Sequence, residues 1–151
     1  MATTQPDTHV IYTEKLRPSI GMWALIVLAA ASTALMVLPV WKLGIVILPV
    51  VSFIILAWWL RSMGYSIIVT ERQLFVGDAH IDRQYITDAI GYDAEGAREA
   101  RGTGLDARAF LLIRPWAKCA VRINIDDTTD PTPYWLISSR NPVEFAAALN
   151  R

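Results

Sequence analysis

Apolar and polar positions follow two different regimes along this chain. From Ile20 to Leu60 the residues are apolar almost without break, and Lys42 is the only charged one among these 41. As one straight helix the run would extend about 60 Å, twice the roughly 30 Å hydrocarbon core of a bilayer, so it predicts two spans, about 20–40 and 43–60. The division falls at "LPVWKLG": Pro39 lacks an N–H, Gly44 bends easily, and Lys42 belongs among headgroups or water. Held at mid-membrane, that ammonium would cost about 2.5 to 3.5 kcal/mol, which assigns it to the turn of a helical hairpin.

The tryptophans fit the same division, with Trp23 near the start of the first span, Trp41 at the turn, and Trp58 and Trp59 at the end of the second. With Lys42 and Arg61 they form the expected membrane-interface set. Pro49 is expected to kink the second span. Ala30 and Ala34 stand four apart in the first span, and Gly44 and Ser52 give the second a small-residue row, so these four make a candidate helix-packing face. That face is read as closing the hairpin or as meeting a second membrane protein or second copy. A cleaved signal peptide ending at Ala29-Ala30-Ala31 is the weaker account, because the mature chain would begin inside the apolar run. Lys15, Arg17 and Arg61 flank the spans while Lys42 stands alone between them, which places both termini in the cytoplasm.

Outside the run the pattern changes. Residues 1–19 show no sustained periodicity and are expected to form a cytoplasmic tail, its first eight residues disordered. After Arg61 come short β-branched or aromatic runs at 65–70, 73–78, 79–81, 85–93, 109–116, 119–126 and 133–138, the first two joined by a tight Glu71-Arg72 turn. Val121, Ile123 and Ile125 alternate with Arg122, Asn124 and Asp126, the signature of a half-buried strand. Residues 94–107, rich in Gly, Ala and charge, read as a long connection with a helical turn. Asn141 as N-cap, Pro142 as first helical residue and Glu144 at N3 predict a helix to about Leu149. The resulting class is α+β: a tail (1–19), a two-helix transmembrane hairpin (20–60) and a domain of about seven strands closed by a C-terminal helix (61–151).

Composition adds little chemistry. Lys plus Arg and Asp plus Glu balance at 14 each, which gives no charge argument for nucleic acid. Cys119 is the only cysteine, so no intramolecular disulfide forms and a reduced, structural thiol is expected. Asp126, Asp127 and Asp130 lack the glycine and terminal glutamate of a calcium loop and read as a solvated turn. "RGTG" (101–104) lacks the lysine of a phosphate loop, and His9 and His80 stand isolated. No catalytic residue, metal site, cofactor or small-molecule substrate is therefore assigned. Arg98, Arg101, Arg108, Arg114, Lys118, Arg122 and Arg140 are the material for anionic headgroup recognition, but Glu95, Glu99, Asp106 and Asp126 interrupt them.

"YTEKLRPS" before a two-span hairpin, followed by "IIVTERQLFVGDAHI", "LLIRPW" and "DPTPYWLISSRNPVEFAAAL", resembles an uncharacterised family of small actinobacterial membrane proteins with a domain of unknown function. The strand order also resembles the bacterial pleckstrin-homology-like fold, a bent β-barrel or sandwich plugged by a C-terminal helix. The resemblance implies an architecture and a bacterial inner membrane, and supplies no reaction or ligand. In that fold a basic loop between the first two strands binds lipid, and Arg72 beside Glu71 is all this chain offers there. The expected function is a non-enzymatic, membrane-anchored interaction protein with the lipid bilayer and a membrane protein as partners. The alternatives are a sensor of anionic lipid headgroups and a membrane-bound enzyme.

Overall fold

The computed structural model describes residues 9–39 and 41–151; the expected disorder of residues 1–8 lies outside them. The chain forms two compact units, one made of Arg17–Gly64 and the other of the segment ending at Leu16 together with Tyr65–Arg151.

The first unit is a pair of helices, α1 (Ile20–Val37) and α2 (Gly44–Ser62), joined by a short turn that holds Lys42. Both are long and apolar enough to cross a membrane, with mean hydropathies of 2.2 and 2.1. At about 1.5 Å per residue each is close to the thickness of a hydrocarbon core. The buried residues are few, Ile26 and Ala30 on α1 and Gly44 and Leu60 on α2, and much of the remaining surface exposes leucine, isoleucine and valine. All four hydroxyls of these helices return to the carbonyl three residues back: Ser32 to Ala29 (2.8 Å), Thr33 to Ala30 (2.7 Å), Ser52 to Pro49 (3.1 Å) and Ser62 to Trp59 (2.7 Å). Such local bonding satisfies a hydroxyl where water is scarce.

The second unit contains two four-stranded sheets, eight strands where about seven are expected, and the sheets do not close into a barrel. The first is an antiparallel meander of β1 (Val10–Leu16), β2 (Tyr65–Thr70), β3 (Gln73–Val76) and β4 (Ala79–Asp82). The second has the order β5 (Ile86–Tyr92), β7 (Ala120–Ile125), β8 (Tyr134–Ser138), β6 (Phe110–Leu112), with β6 parallel to β8. Gly77, at φ 61°, makes the tight turn from β3 to β4.

β1 corrects the expected tail. Residues 10–16 pair with β2 from Val10↔Thr70 to Leu16↔Tyr65, so the sheet unit includes residues before the apolar run and not only after it. The helical unit is thus inserted into the connection of a β-hairpin, leaving from Leu16 and returning at its pairing partner Tyr65. The inward alternate positions of β1 are Tyr12, half-buried, and Glu14 and Leu16, both buried. Their polarity hides the strand from a hydrophobicity pattern.

The main core lies between the sheets. Ile67, Val69, Leu74 and Val76 from one face Val121, Ile123, Trp135 and Ile137 from the other, and Phe145 and Leu149 of α4 (Pro142–Leu149) join them. The C-terminal helix stands where the Asn-Pro signal puts it, although the Asn141 side chain makes no capping bond. Its far end is held instead: Arg83 donates to the Leu149 carbonyl (2.8 Å), and Asn150 exchanges two 2.9 Å hydrogen bonds with the backbone of Ala89, acting as an extra partner on edge strand β5. The connection at 94–107 contains a full helix, α3 (Ala94–Arg101), capped by Asp93, whose carboxylate accepts from Gly96 N (2.8 Å). Its Ala97 packs on the outer face of the second sheet with Ala120, Tyr134 and Leu136. β8 is consequently covered on both faces and buried throughout.

Candidate functional site

The densest buried polar group joins the first strand to the last. Glu14 is only 8% exposed on the inward face of β1. Its Oε2 accepts from Tyr12 Oη (3.0 Å) and from Ser139 Oγ (2.6 Å), while its Oε1 accepts from the backbone N of Arg140 (2.7 Å). Ser139 Oγ also accepts from Asn141 N (3.1 Å). Burial, together with the negative charge of Glu14, pushes the Tyr12 phenol up to about 12. Beside this group Tyr65 reaches from β2 to the opposite sheet, its Oη 2.7 Å from the Ser138 carbonyl and 3.2 Å from that of Leu112. Burial raises its pKa, Glu14 adds to the rise, and the Arg114 guanidinium, 5.1 Å over the ring, opposes it.

A carboxylate 2.6 Å from a serine hydroxyl has the outline of a base and a nucleophile. Here it does other work. Ser139 is fully buried, and both oxygens of Glu14 are occupied by backbone or side-chain donors from this chain. The group acts as a clamp between β1 and the β8–α4 junction. Its members come from "YTEK" and "SSRN", two stretches whose pattern is not hydrophobic and whose partnership no periodicity reveals.

The seven basic residues separate in space. Arg108 pairs with Asp106 (Nη2 to Oδ2 3.1 Å) and holds that carboxyl below its ordinary value. Arg122 lies 4.0 Å over the ring of Tyr134 and donates to Asn124 (2.9 Å), Arg114 sits over Tyr65, and Arg140 gives its backbone N to Glu14. Arg98, Arg101 and Lys118 converge on one cleft of about 450 Å³, whose apolar lining is Ala94, Pro115 and Ala117. Arg101 donates through Nη2 to the Lys118 carbonyl, which ties α3 to the opposite wall. Glu95 and Glu99, which interrupt the basic residues in sequence, are separated from them by helix geometry. At about 100° per residue Ala94, Arg98 and Arg101 share one face of α3, and Glu95 and Glu99 project about 60 to 160° away.

The other candidates resolve into local structure. Asp127 accepts from Thr129 N (2.8 Å) and Oγ1 (2.7 Å), and Asp130 from Thr132 N (2.9 Å), so these carboxylates shape the β7–β8 turn. The hydrogen bond from Thr132 lowers the pKa of Asp130. "RGTG" terminates α3, with the amides of Gly102 and Gly104 both donating to the Glu99 carbonyl. His80 is exposed beside Phe75, and Cys119 is a half-buried free thiol. Among the described residues no group of three His, Cys, Asp or Glu side chains is placed to hold a metal ion.

In the helical unit Trp23 lies in the first turn of α1, Trp41 and Lys42 are exposed in the turn, and Trp58, Trp59 and Arg61 are exposed near the end of α2. Ala30 and Gly44 are buried and Ala34 and Ser52 half-buried. A Cβ on Gly44 would stand 2.5 Å from Trp41 Cε3 and 2.7 Å from Val37 Cγ1. Close approach requires glycine there.

A family model described as Protein of unknown function (DUF3093) matches residues 11–149. The chain belongs to this family. No curated protein and no solved structure matches it. The matched range opens inside β1 and closes on the last residue of α4, so it takes in both units. Tyr12 and Glu14 stand near one end of that range and Ser139 and Arg140 near the other. The clamp therefore links its two extremes.

Proposed function

We propose that this chain is a non-catalytic, membrane-anchored interaction protein of the bacterial inner membrane, with α1 and α2 crossing the bilayer as a hairpin and the sheet unit in the cytoplasm. The observation that carries the reading is the insertion of two largely exposed apolar helices between the paired residues Leu16 and Tyr65. A hairpin so inserted must start and finish on the side occupied by the sheets, and exposed apolar surface of that extent calls for lipid. Lys15, Arg17 and Arg61 against Lys42 alone support a cytoplasmic sheet unit, and the tryptophans at the helix ends and turn suit two interfaces.

The consumption of Glu14, Ser139 and Tyr12 in a structural clamp favours binding over catalysis. An architecture of two sheets and a C-terminal helix is compatible with a pleckstrin-homology-like ancestry. On that reading the connection between the first two strands, the basic lipid-binding loop elsewhere, is here the apolar hairpin itself. On this reading Ala30, Ala34, Gly44 and Ser52 close the hairpin, and the partner protein is assigned to the polar surface of the sheet unit.

Topology tests the reading. In a Cys119→Ala background, a cysteine replacing Lys42 should react with an impermeant maleimide on intact cells. One replacing the exposed Asp78 should react only after lysis. The reverse pattern, or a chain extracted by salt alone, would overturn it.

A further inference from the structure

The cleft beside α3 has features that neither anchoring nor the clamp uses. Arg98 and Lys118 are exposed and Arg101 is half-buried, and all three line the same cleft, with no carboxylate among its lining residues. The guanidinium of Arg101 is fixed by the Lys118 carbonyl, which holds its positive charge at the cleft. Three basic side chains around a cleft whose lining holds no carboxylate favour an anion in it. Arg98 and Lys118, unlike Arg108, Arg114 and Arg122, make no ion pair or hydrogen bond through their side chains among the described residues.

The chemistry of the ligand follows from the donors and the volume. Guanidinium forks and an ammonium suit the oxygens of a phosphate. A space of about 450 Å³ is much larger than a bare phosphate needs and falls in the range of small-molecule sites. Ala94, Pro115 and Ala117 supply an apolar wall for an organic substituent. We infer that the Arg98–Arg101–Lys118 cleft binds a phosphate ester carrying a small organic group, either as a free metabolite or as the headgroup of a phospholipid. The inference holds whether or not α1 and α2 cross a bilayer.

Lys118 itself provides the readout. The chain has three lysines, Lys15, Lys42 and Lys118, so amine acylation followed by mass spectrometry gives a separate rate for each, with Lys15 as internal reference. The full-length protein is labelled in uncharged detergent with inorganic phosphate or glycerol phosphate, and in nanodiscs of phosphatidylcholine with and without phosphatidylglycerol. Occupancy should slow Lys118 severalfold relative to Lys15. Slowing by glycerol phosphate in detergent identifies a free phosphate ester; slowing confined to phosphatidylglycerol nanodiscs identifies the headgroup. Arg98→Gln, on the exposed face of α3, should raise the half-protecting ligand concentration about tenfold, as expected for one lost charge-assisted contact. Arg72→Gln removes the same charge outside the cleft and should leave it unchanged. A Lys118 rate unmoved by inorganic phosphate, glycerol phosphate and phosphatidylglycerol alike, or equal effects of Arg98→Gln and Arg72→Gln, would overturn the site.

Discussion

The two units place the same kinds of side chain in opposite ways. In the sheet unit Ile67, Leu74, Ile123 and Ile137 are turned inward and wholly buried, while in the helical unit Leu25, Leu28, Val50 and Ile54 are turned outward. Their polar bonds differ as sharply. Every side-chain hydroxyl of α1 and α2 bonds three residues back, whereas Glu14 reaches Ser139, 125 positions away. One unit is locally self-sufficient and relies on its surroundings to cover its apolar faces. The other supplies its own cover and is closed by contacts between its two chain ends. Apolar content alone does not distinguish an anchor from a core; the range over which polar groups find partners does.

The most drastic break of this comparison is to excise one unit. Replacing residues 17–64 with a two-residue Asn-Gly turn should join Leu16 to Tyr65 as an ordinary β-hairpin and yield a soluble, cooperatively unfolding domain. Residues 65–151 alone lack β1, expose the edge of β2 and leave Ser139 and the Arg140 amide without their acceptor, so they should aggregate. Size-exclusion chromatography with thermal unfolding compares the two. If residues 65–151 fold as well as the joined domain, β1 is an accessory and the inserted hairpin has no structural consequence.

That same strand marks the boundary of what was legible in the sequence. The apolar run, its division near Lys42, the strand at Tyr65–Thr70 and the helix opening at Pro142 could be read directly, because each depends on a local pattern. β1 could not, since two of its inward positions are polar: Tyr12 bonds to Glu14, and Glu14 satisfies its burial through the distant Ser139 and Arg140. α3 was half visible: Asp93 and the alanines Ala94, Ala97 and Ala100 favour a helix, but Gly96 and the surrounding charges mask it. The basic cleft was obscured by linear order. Glu95 and Glu99 lie between Ala94, Arg98 and Arg101 in sequence and on another face in space, and Lys118 joins them only through the fold.

Within the joined domain Glu14→Ala should be the costliest single polar change. It leaves Tyr12 Oη, Ser139 Oγ and the Arg140 amide without their acceptor, for a loss of about 3 kcal/mol, and Glu14→Gln should cost roughly half as much because an acceptor oxygen remains. Urea unfolding measures both. A loss under about 0.5 kcal/mol for Glu14→Ala would mean that the clamp is solvated and the chain ends are not coupled through it.

The helical unit provides the counterpart. Gly44→Leu would drive a side chain into Trp41 and Val37, and helix separation should cost about 1 to 2 kcal/mol net of the better helix propensity. Val50→Ala, on an outward face, should cost far less. Stepwise denaturation in mixed micelles, followed by tryptophan fluorescence, should show Gly44→Leu weakening this unit while the sheet unit's transition stays in place. Equal effects at Gly44 and Val50 would deny that the two helices share a tight seam.

The finest contrast is alkaline. A neutral Tyr12 hydroxyl donates to Glu14, and its pKa rises from the ordinary 10.0 to about 12 on folding. Because the folded value is the higher one, the proton on Tyr12 stabilises the fold fully below pH 10, and that stabilisation is lost as pH rises from 10 towards 12. Tyr12→Phe removes the donor and should cost about 1 kcal/mol at neutral pH. Its disadvantage should then shrink between pH 10 and 12, because the native phenol ionises beside Glu14 while phenylalanine has nothing to ionise. Tyr65, also raised, titrates in both proteins and cancels from the comparison. Urea midpoints of the joined domain and its Tyr12→Phe variant, measured across this range, should therefore converge. Parallel curves would show that the Tyr12 hydroxyl faces solvent and that Glu14 is held by Ser139 and Arg140 alone.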